Sequence, residues 1–171
     1  MAHCLFNNEE EQRMRYISFE EEPSILPDEF FMNEALKEAR EALKLDEVPI
    51  GAVVVHKGRI IGRGHNLTET LNDVTAHAEM QAFTAAANFT GGKYLKDCTL
   101  YVTIEPCVMC AGASYWTQIS RIVYGANDPQ RGFSQIKQRI LHPRTEVIFG
   151  IKAAECGQLV KDFFLDKRNK T

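Results

Sequence analysis

His77-Ala78-Glu79 and Pro106-Cys107-Val108-Met109-Cys110 constrain this chain most, because one imidazole and two thiols act together only if the fold carries them to one place. Three soft or borderline ligands suit Zn²⁺. Three ligands leave one position open for water. An open position marks a site built for chemistry, whereas a closed four-ligand site is built for folding. Glu79 is not needed as a ligand and would then move protons for the activated water.

At 171 residues, 44% hydrophobic and 25% charged, the chain reads as one domain with a full core. No apolar run of about 18 residues occurs, so no transmembrane helix is expected. The start, MAHCLFNNEEEQRMR, is acidic and lacks the basic and apolar parts of a secretory signal, which points to the cytoplasm. Five cysteines, of which only Cys107 and Cys110 are closely spaced, do not form a disulfide framework. Cys98 and Cys156 read as small buried hydrophobes.

The net charge of −3 is unevenly spread. Residues 1–27 hold six Glu and two Arg and read as an acidic appendage, flexible or weakly docked, ahead of a domain at 28–171. Residues 121–144 carry Arg121, Arg131, Lys137, Arg139 and Arg144 against Asp128, and the tail adds Lys161, Lys167, Arg168 and Lys170. These basic residues allow a polyanion partner, although solvated surface charge would look the same.

Asp28 can cap a helix that buries Phe31, Ala35, Leu36, Ala39 and Leu43 and stops before Val48-Pro49. GAVVVH (51–56) and RIIGRG (59–64) flank Lys57-Gly58 as a hairpin. Asn72, Asp73 and Thr75 offer caps for a second helix, ended by Gly91-Gly92. CTLYVTI (98–104), RIVYGA (121–126) and TEVIFG (145–150) read as strands. Helices fall at 107–118, begun by Pro106, and at 152–168. Strands separated by helices require crossovers, so the expectation is an α/β fold: a three-layer α/β/α sandwich on a mixed sheet of about five strands.

Cys107 and Cys110, three apart at a helix start, share a face, and the helix dipole favours thiolate. His77 and Glu79, two apart, work together only if both lie in a first turn with the metal beyond the helix end. Two helix N-termini would then meet over one sheet edge, where open α/β sheets place ligands. A lone CxxC could also be a redox pair or half a zinc ribbon, but there is no second CxxC, and the redox reading leaves His77 and Glu79 unexplained. His3, His56, His65 and His142 read as structural or solvent-facing.

The H-x-E…P-C-x-x-C pattern is a recognised signature of zinc-dependent nucleobase deaminases. With VPIGAVVV (48–55), GHN (64–66), DVTAHAEMQA (73–82), TLYVTIEPCVMCAGA (99–113), RIVYGANDPQRG (121–132) and AAECGQLVKDFF (153–164), the chain resembles the cytidine deaminase superfamily, and within it the bacterial tRNA-specific adenosine deaminases. That resemblance implies a cytidine deaminase-like fold, with His77, Cys107 and Cys110 as ligands to one Zn²⁺ per subunit and Glu79 as proton shuttle. It implies substrate contacts from Asn66, Ile50, Ala78 and Ile104. Asp128 would lie near a ribose 2′-hydroxyl, and Phe163 and Phe164 beside an anticodon loop. The implied partner is a tRNA anticodon stem-loop, the product is inosine at the wobble position, and the implied assembly is a homodimer.

Asn127 stands where that family usually has Arg, and Val74 where it has Pro. The stretch 133–144 looks short for the RNA-facing loop. Tyr115-Trp116 resembles guanine deaminases of the same superfamily. A deaminase of a free base or nucleoside, such as guanine or cytosine, is therefore the competing enzyme reading. A zinc-stabilised binding module without turnover is the non-enzymatic one.

Overall fold

The computed structural model describes residues 26–170, so the acidic segment 1–25 falls outside them. The elements follow the expected order. They are α1 (Asp28–Lys44), β1 (Gly51–His56), β2 (Arg59–His65), α2 (Ala78–Thr90), β3 (Cys98–Ile104), α3 (Val108–Thr117), β4 (Arg121–Ala126), β5 (Glu146–Phe149) and α4 (Ala153–Asn169).

The sheet order is β2-β1-β3-β4-β5. β1 runs antiparallel to both β2 and β3, while β3, β4 and β5 are parallel. Four strands thus end at one edge of the sheet, and β1 begins there. The sheet is mixed, as expected, because a two-residue turn can only reverse the chain, whereas each helix returns it to the same edge.

Side-chain alternation along each strand divides the core into two layers. Ala52, Val54, Leu100, Val102, Ile122 and Tyr124 pack with Ala78, Ala82, Phe83 and Ala111 of α2 and α3. Val53, Val55, Tyr101 and Val123 face the other way, onto Phe31, Met32, Ala35 and Leu36 of α1 and Cys156 of α4. Fully buried side chains such as Leu100, Ile122 and Met32 each contribute about 1.5–3 kcal/mol by leaving water. α2 lies unusually close to β2. A Cβ at Gly62 or Gly64 would meet the backbone oxygens of Ala82 and Ala78 at 2.4 Å, so only glycine lets helix and strand touch.

Several local expectations are corrected. Asp28 occupies the first helical position and caps nothing; Pro27 precedes the helix without a side-chain cap. The Asp28 carboxylate instead takes both Arg121 Nη atoms at 2.8 Å and the Tyr101 hydroxyl at 2.8 Å, fastening α1 to β3 and β4. Arg121 is thereby withdrawn from the basic set that could meet a polyanion. Leu43 is 40% exposed and lies outside the core stripe. Asn72, Asp73 and Thr75 do not cap α2: Asp73 accepts the Thr75 N–H and hydroxyl in a local turn, and His77 is the N-cap residue. Pro106 precedes the N-cap of α3, Cys107, and so lies one residue outside the helix it was expected to start. Cys98 and Cys156 are buried, as expected. Among the described residues no helix is long and apolar enough to cross a membrane.

Candidate active site

His77 and Cys107 are the N-cap residues of α2 and α3, both with extended backbones (ψ 156° and 172°). The two helices follow β2 and β3, which run in the same direction on either side of β1, so their N-termini meet at the sheet edge where those strands end. This resolves the spacing problem. His77 leaves the helix axis as a cap, while Glu79, two residues on, points back into the same space from the first turn.

His77 Nδ1 lies 3.6 Å from Cys107 Sγ and 3.6 Å from Cys110 Sγ. The three donor atoms all lie within 4.8 Å of one another. A tetrahedral ion bound at zinc–sulfur and zinc–nitrogen lengths would separate sulfur from nitrogen by about 3.6 Å. The donor set and its spacing therefore fit a metal ion. The Cys107 thiol is held down to about 4 because Cys110 and His77 donate to its sulfur. Cys110, donating to Cys107 and buried, is held up, and the His77 imidazole is raised by its bond to Cys107. A thiolate, the species that binds metal, is thus already favoured.

Glu79 is 4% exposed. Burial pushes its carboxyl up to about 7, the nearby Cys107 sulfur adds to this, and His77 and Cys110 oppose it. A carboxyl poised near neutrality can both accept and return a proton, as general acid–base catalysis requires.

Asn66 follows the last residue of β2, beside the start of β1, where its N–H donates to the Ile50 carbonyl at 3.1 Å. Its side chain is held by a carboxylate that the sequence did not single out. Asn66 Nδ2 donates to Glu47 Oε2 at 3.0 Å and to Thr68 Oγ1 at 3.1 Å. A carboxylate only accepts, so Nδ2 must face Glu47, and Oδ1 is the atom left to accept from a ligand. Glu47 is itself fully buried. Burial opposes its charge, yet hydrogen bonds from Thr70 and Thr68 hold its carboxyl below the usual range.

Ile50 and Ile104 are half-buried at the same edge, while the Ala78 side chain is buried in the core. Asp128 follows β4, and its Oδ1 accepts the N–H groups of Gln130 and Arg131 at 3.0 Å. The aromatic pair divides. Phe163 is 8% exposed and packed, while Phe164 is 46% exposed, so Phe164 presents its ring to solvent. Glu105, 3% exposed and two residues before Cys107, is a second buried carboxylate that sequence reasoning passed over. The only sequence signal was, for Glu105, an acid abutting an apolar strand and, for Glu47, an acid just ahead of residues 48–50, which lead into β1.

Three metal donors and a buried carboxylate at helix N-termini, over a mixed sheet, define a hydrolytic deaminase of the cytidine deaminase type. Residues 27–168 match the MafB19-like deaminase family. The chain is 44% identical over 148 residues to the tRNA-specific adenosine deaminase of Bacillus subtilis (strain 168), across 84% of this chain and 92% of that protein. It is 44% identical over 143 residues to the enzyme of the same name in Agrobacterium fabrum, across 81% and 94%. A solved structure from studies of A-to-I editing by tRNA:A34 deaminases superposes with a TM-score of 0.72 at 44% identity, covering 76% of this chain and 98% of the other. This chain belongs to the MafB19-like deaminase family.

Proposed function

We propose that the protein is a zinc-dependent hydrolase that converts adenosine to inosine at the wobble position of a tRNA anticodon, releasing ammonia. The observation that carries this reading is Glu79: a buried carboxylate beside three metal donors and not one of them. A structural metal site has no use for such a group.

His77, Cys107 and Cys110 would hold the zinc, which supplies Lewis acidity and a water made acidic near neutral pH. Glu79 would take one proton of the attacking water and pass it to a ring nitrogen of the base, while the water oxygen bonds to the ring carbon that carries the amine. It would then pass the second proton of that water to the amine, which leaves as ammonia when its bond to the ring carbon breaks, so one carboxylate serves as base and acid in turn. Asn66, fixed by Glu47, offers an acceptor to the base, with Ile50 and Ile104 as apolar walls and Ala78 at the start of α2. Asp128, in the loop after β4, would meet the ribose of a bound nucleotide, and Phe164, with Phe163 packed behind it, would offer a ring to an unpaired base. Arg131, Lys137, Arg139, Arg144, Lys161, Arg168 and Lys170 keep exposed or part-exposed charges for the RNA backbone. Val108, Gly112 and Trp116 leave an apolar stripe on α3, with open space over Gly112, which supports a homodimer. A tRNA substrate would place the enzyme in the cytoplasm, and residues 1–27 would be an acidic extension to a deaminase domain at 28–171.

A guanine deaminase of Bacillus subtilis also superposes, with a TM-score of 0.57 at 40% identity over 60% of this chain and 66% of the other. Tyr115-Trp116 favours that free-base reading in sequence. In the fold, Trp116 lies eight residues beyond Val108, about 12 Å of helix rise from the metal end, and is 77% exposed. Its ring meets that of Tyr115 edge-on, with 5.6 Å between centroids. Incubation with an anticodon stem-loop carrying a wobble adenosine, and in parallel with free guanine, separates the two. Inosine in the stem-loop supports the proposal; turnover of guanine alone reverses it.

A further inference from the structure

Glu105 is buried and forms no ion pair among the described residues. Its carboxylate is satisfied by backbone alone: Oε2 accepts the Asp128 N–H at 3.0 Å and Oε1 accepts the Ser134 N–H at 2.9 Å. The two donors bracket one loop, so a single side chain grips both ends of it. Gly132 completes the grip. A Cβ there would stand 2.3–2.5 Å from three carboxyl atoms of Glu105. The backbone at Gly132 has an ordinary φ of −60°, so glycine is required for room and not for its dihedral freedom.

The gripped loop is also joined to the ligand turn. Gly132 bridges to Cys107, and the Phe133 N–H donates to the Pro106 carbonyl at 2.9 Å. Within the loop, the Gly132 N–H returns to the Asp128 carbonyl at 3.0 Å. Glu105 therefore stands between the metal-ligand segment, of which its own backbone is part, and the loop that carries Asp128 and Arg131.

We infer that Glu105 is a positioning residue: its carboxylate sets the distance between the Cys107 ligand and Asp128, so that the sugar side of a bound nucleotide is held in register with the reacting base. This rests on the nucleotide reading of the site given above. An amide in place of the carboxylate turns one acceptor into a donor that faces an N–H, releasing one end of the loop. Removing the side chain releases both.

The test uses the full chain with metal bound and three variants: Glu105→Gln, Glu105→Ala and Gly132→Ala. Gly132→Ala attacks the same grip from the loop side and guards against a Glu105 variant that fails to fold. Metal content, amide hydrogen exchange and stem-loop deamination kinetics are read on each. The expected result is unchanged metal content and at least tenfold faster exchange at Asp128 and Ser134, with Leu100 and Val102 unaltered. KM should rise tenfold or more while kcat stays within threefold. In the Glu105→Ala background, Gly132→Ala should add less than a twofold change, because the carboxylate it would strike is gone. Unchanged exchange and KM would overturn the inference. So would metal content and kcat falling together, or fully additive effects in the double variant. If the wild-type protein deaminates no stem-loop, the substrate reading fails, while the exchange and metal readings still decide whether Glu105 holds the loop.

Discussion

The Asn66 amide donates to the Glu47 carboxylate across 3.0 Å, and neither side chain is more than 5% exposed. The pair joins the loop after α1 to the end of β2 and fixes which atom of Asn66 can meet a ligand. Glu47→Gln can present a donor where Asn66 needs an acceptor, so the Asn66 amide is free to turn over. A loss of roughly 10–100-fold in kcat/KM is expected, by analogy with the loss of a partner that orients a metal ligand. Metal content should not change. Steady-state kinetics beside metal analysis check this; an unchanged kcat/KM would deny Glu47 the role.

Asp28 and Arg121 make a two-bonded ion pair, both arms at 2.8 Å, with the Tyr101 hydroxyl on the same carboxylate. The Arg121 guanidinium holds the Asp28 carboxyl below its ordinary value, although partial burial opposes this. A depressed folded-state pKa gives stability that is fully present above the unfolded value of about 3.9 and is lost as pH falls through the lower folded value. Asp28→Asn should cost about 1–3 kcal/mol near neutrality. The gap from wild type should stay level down to about pH 5 and narrow below about pH 4. Denaturant titrations across pH test it, and a gap that widens in acid would contradict the assignment.

Arg131 is exposed on the loop beside the ligand turn, near enough to act electrostatically on His77. If it meets a phosphate, Arg131→Ala should weaken stem-loop binding evenly across sequences and reduce the slope of log K against log salt by about one. Binding isotherms at several salt concentrations measure that slope. An unaltered slope would place Arg131 away from the backbone.

A chelator strong enough to strip the His77, Cys107 and Cys110 donors should abolish turnover, and added zinc should restore it. At zinc concentrations a hundred times Kd, binding should add about 2.7 kcal/mol of stability. That corresponds to a melting shift of roughly 5–10 °C in a domain of this size. Calorimetry with and without zinc shows the shift, and its absence would mean that the three donors bind no ion.

The parts of this molecule legible in sequence were those whose chemistry is local. β-branched runs marked the strands along the chain, though not their order in the sheet, and the two-residue turn gave the hairpin. His77, Cys107 and Cys110 declared themselves because few other uses explain them together. What stayed hidden depended on distant partners. Asp28 has the composition of a helix cap, yet its carboxylate is claimed by Arg121, far along the chain. Asn72, Asp73 and Thr75 look like caps, but a local turn takes Asp73 and leaves the N-cap position to His77. Glu47 and Glu105 look like any surface acid until the fold buries them among backbone N–H groups. Phe163 and Phe164 are neighbours in sequence, and only the facing of α4 separates the buried ring from the exposed one.

Glu79→Gln keeps the volume and hydrogen-bonding reach of the side chain but cannot carry a proton between water, base and amine. Metal content and inosine formation measured on the same preparation, wild type against Glu79→Gln, probe the site most directly. One metal ion per chain in both proteins, with stem-loop deamination falling roughly 10²–10⁴-fold in the variant, is the predicted result. Wild-type-like turnover by Glu79→Gln, or loss of metal and fold together, would contradict it.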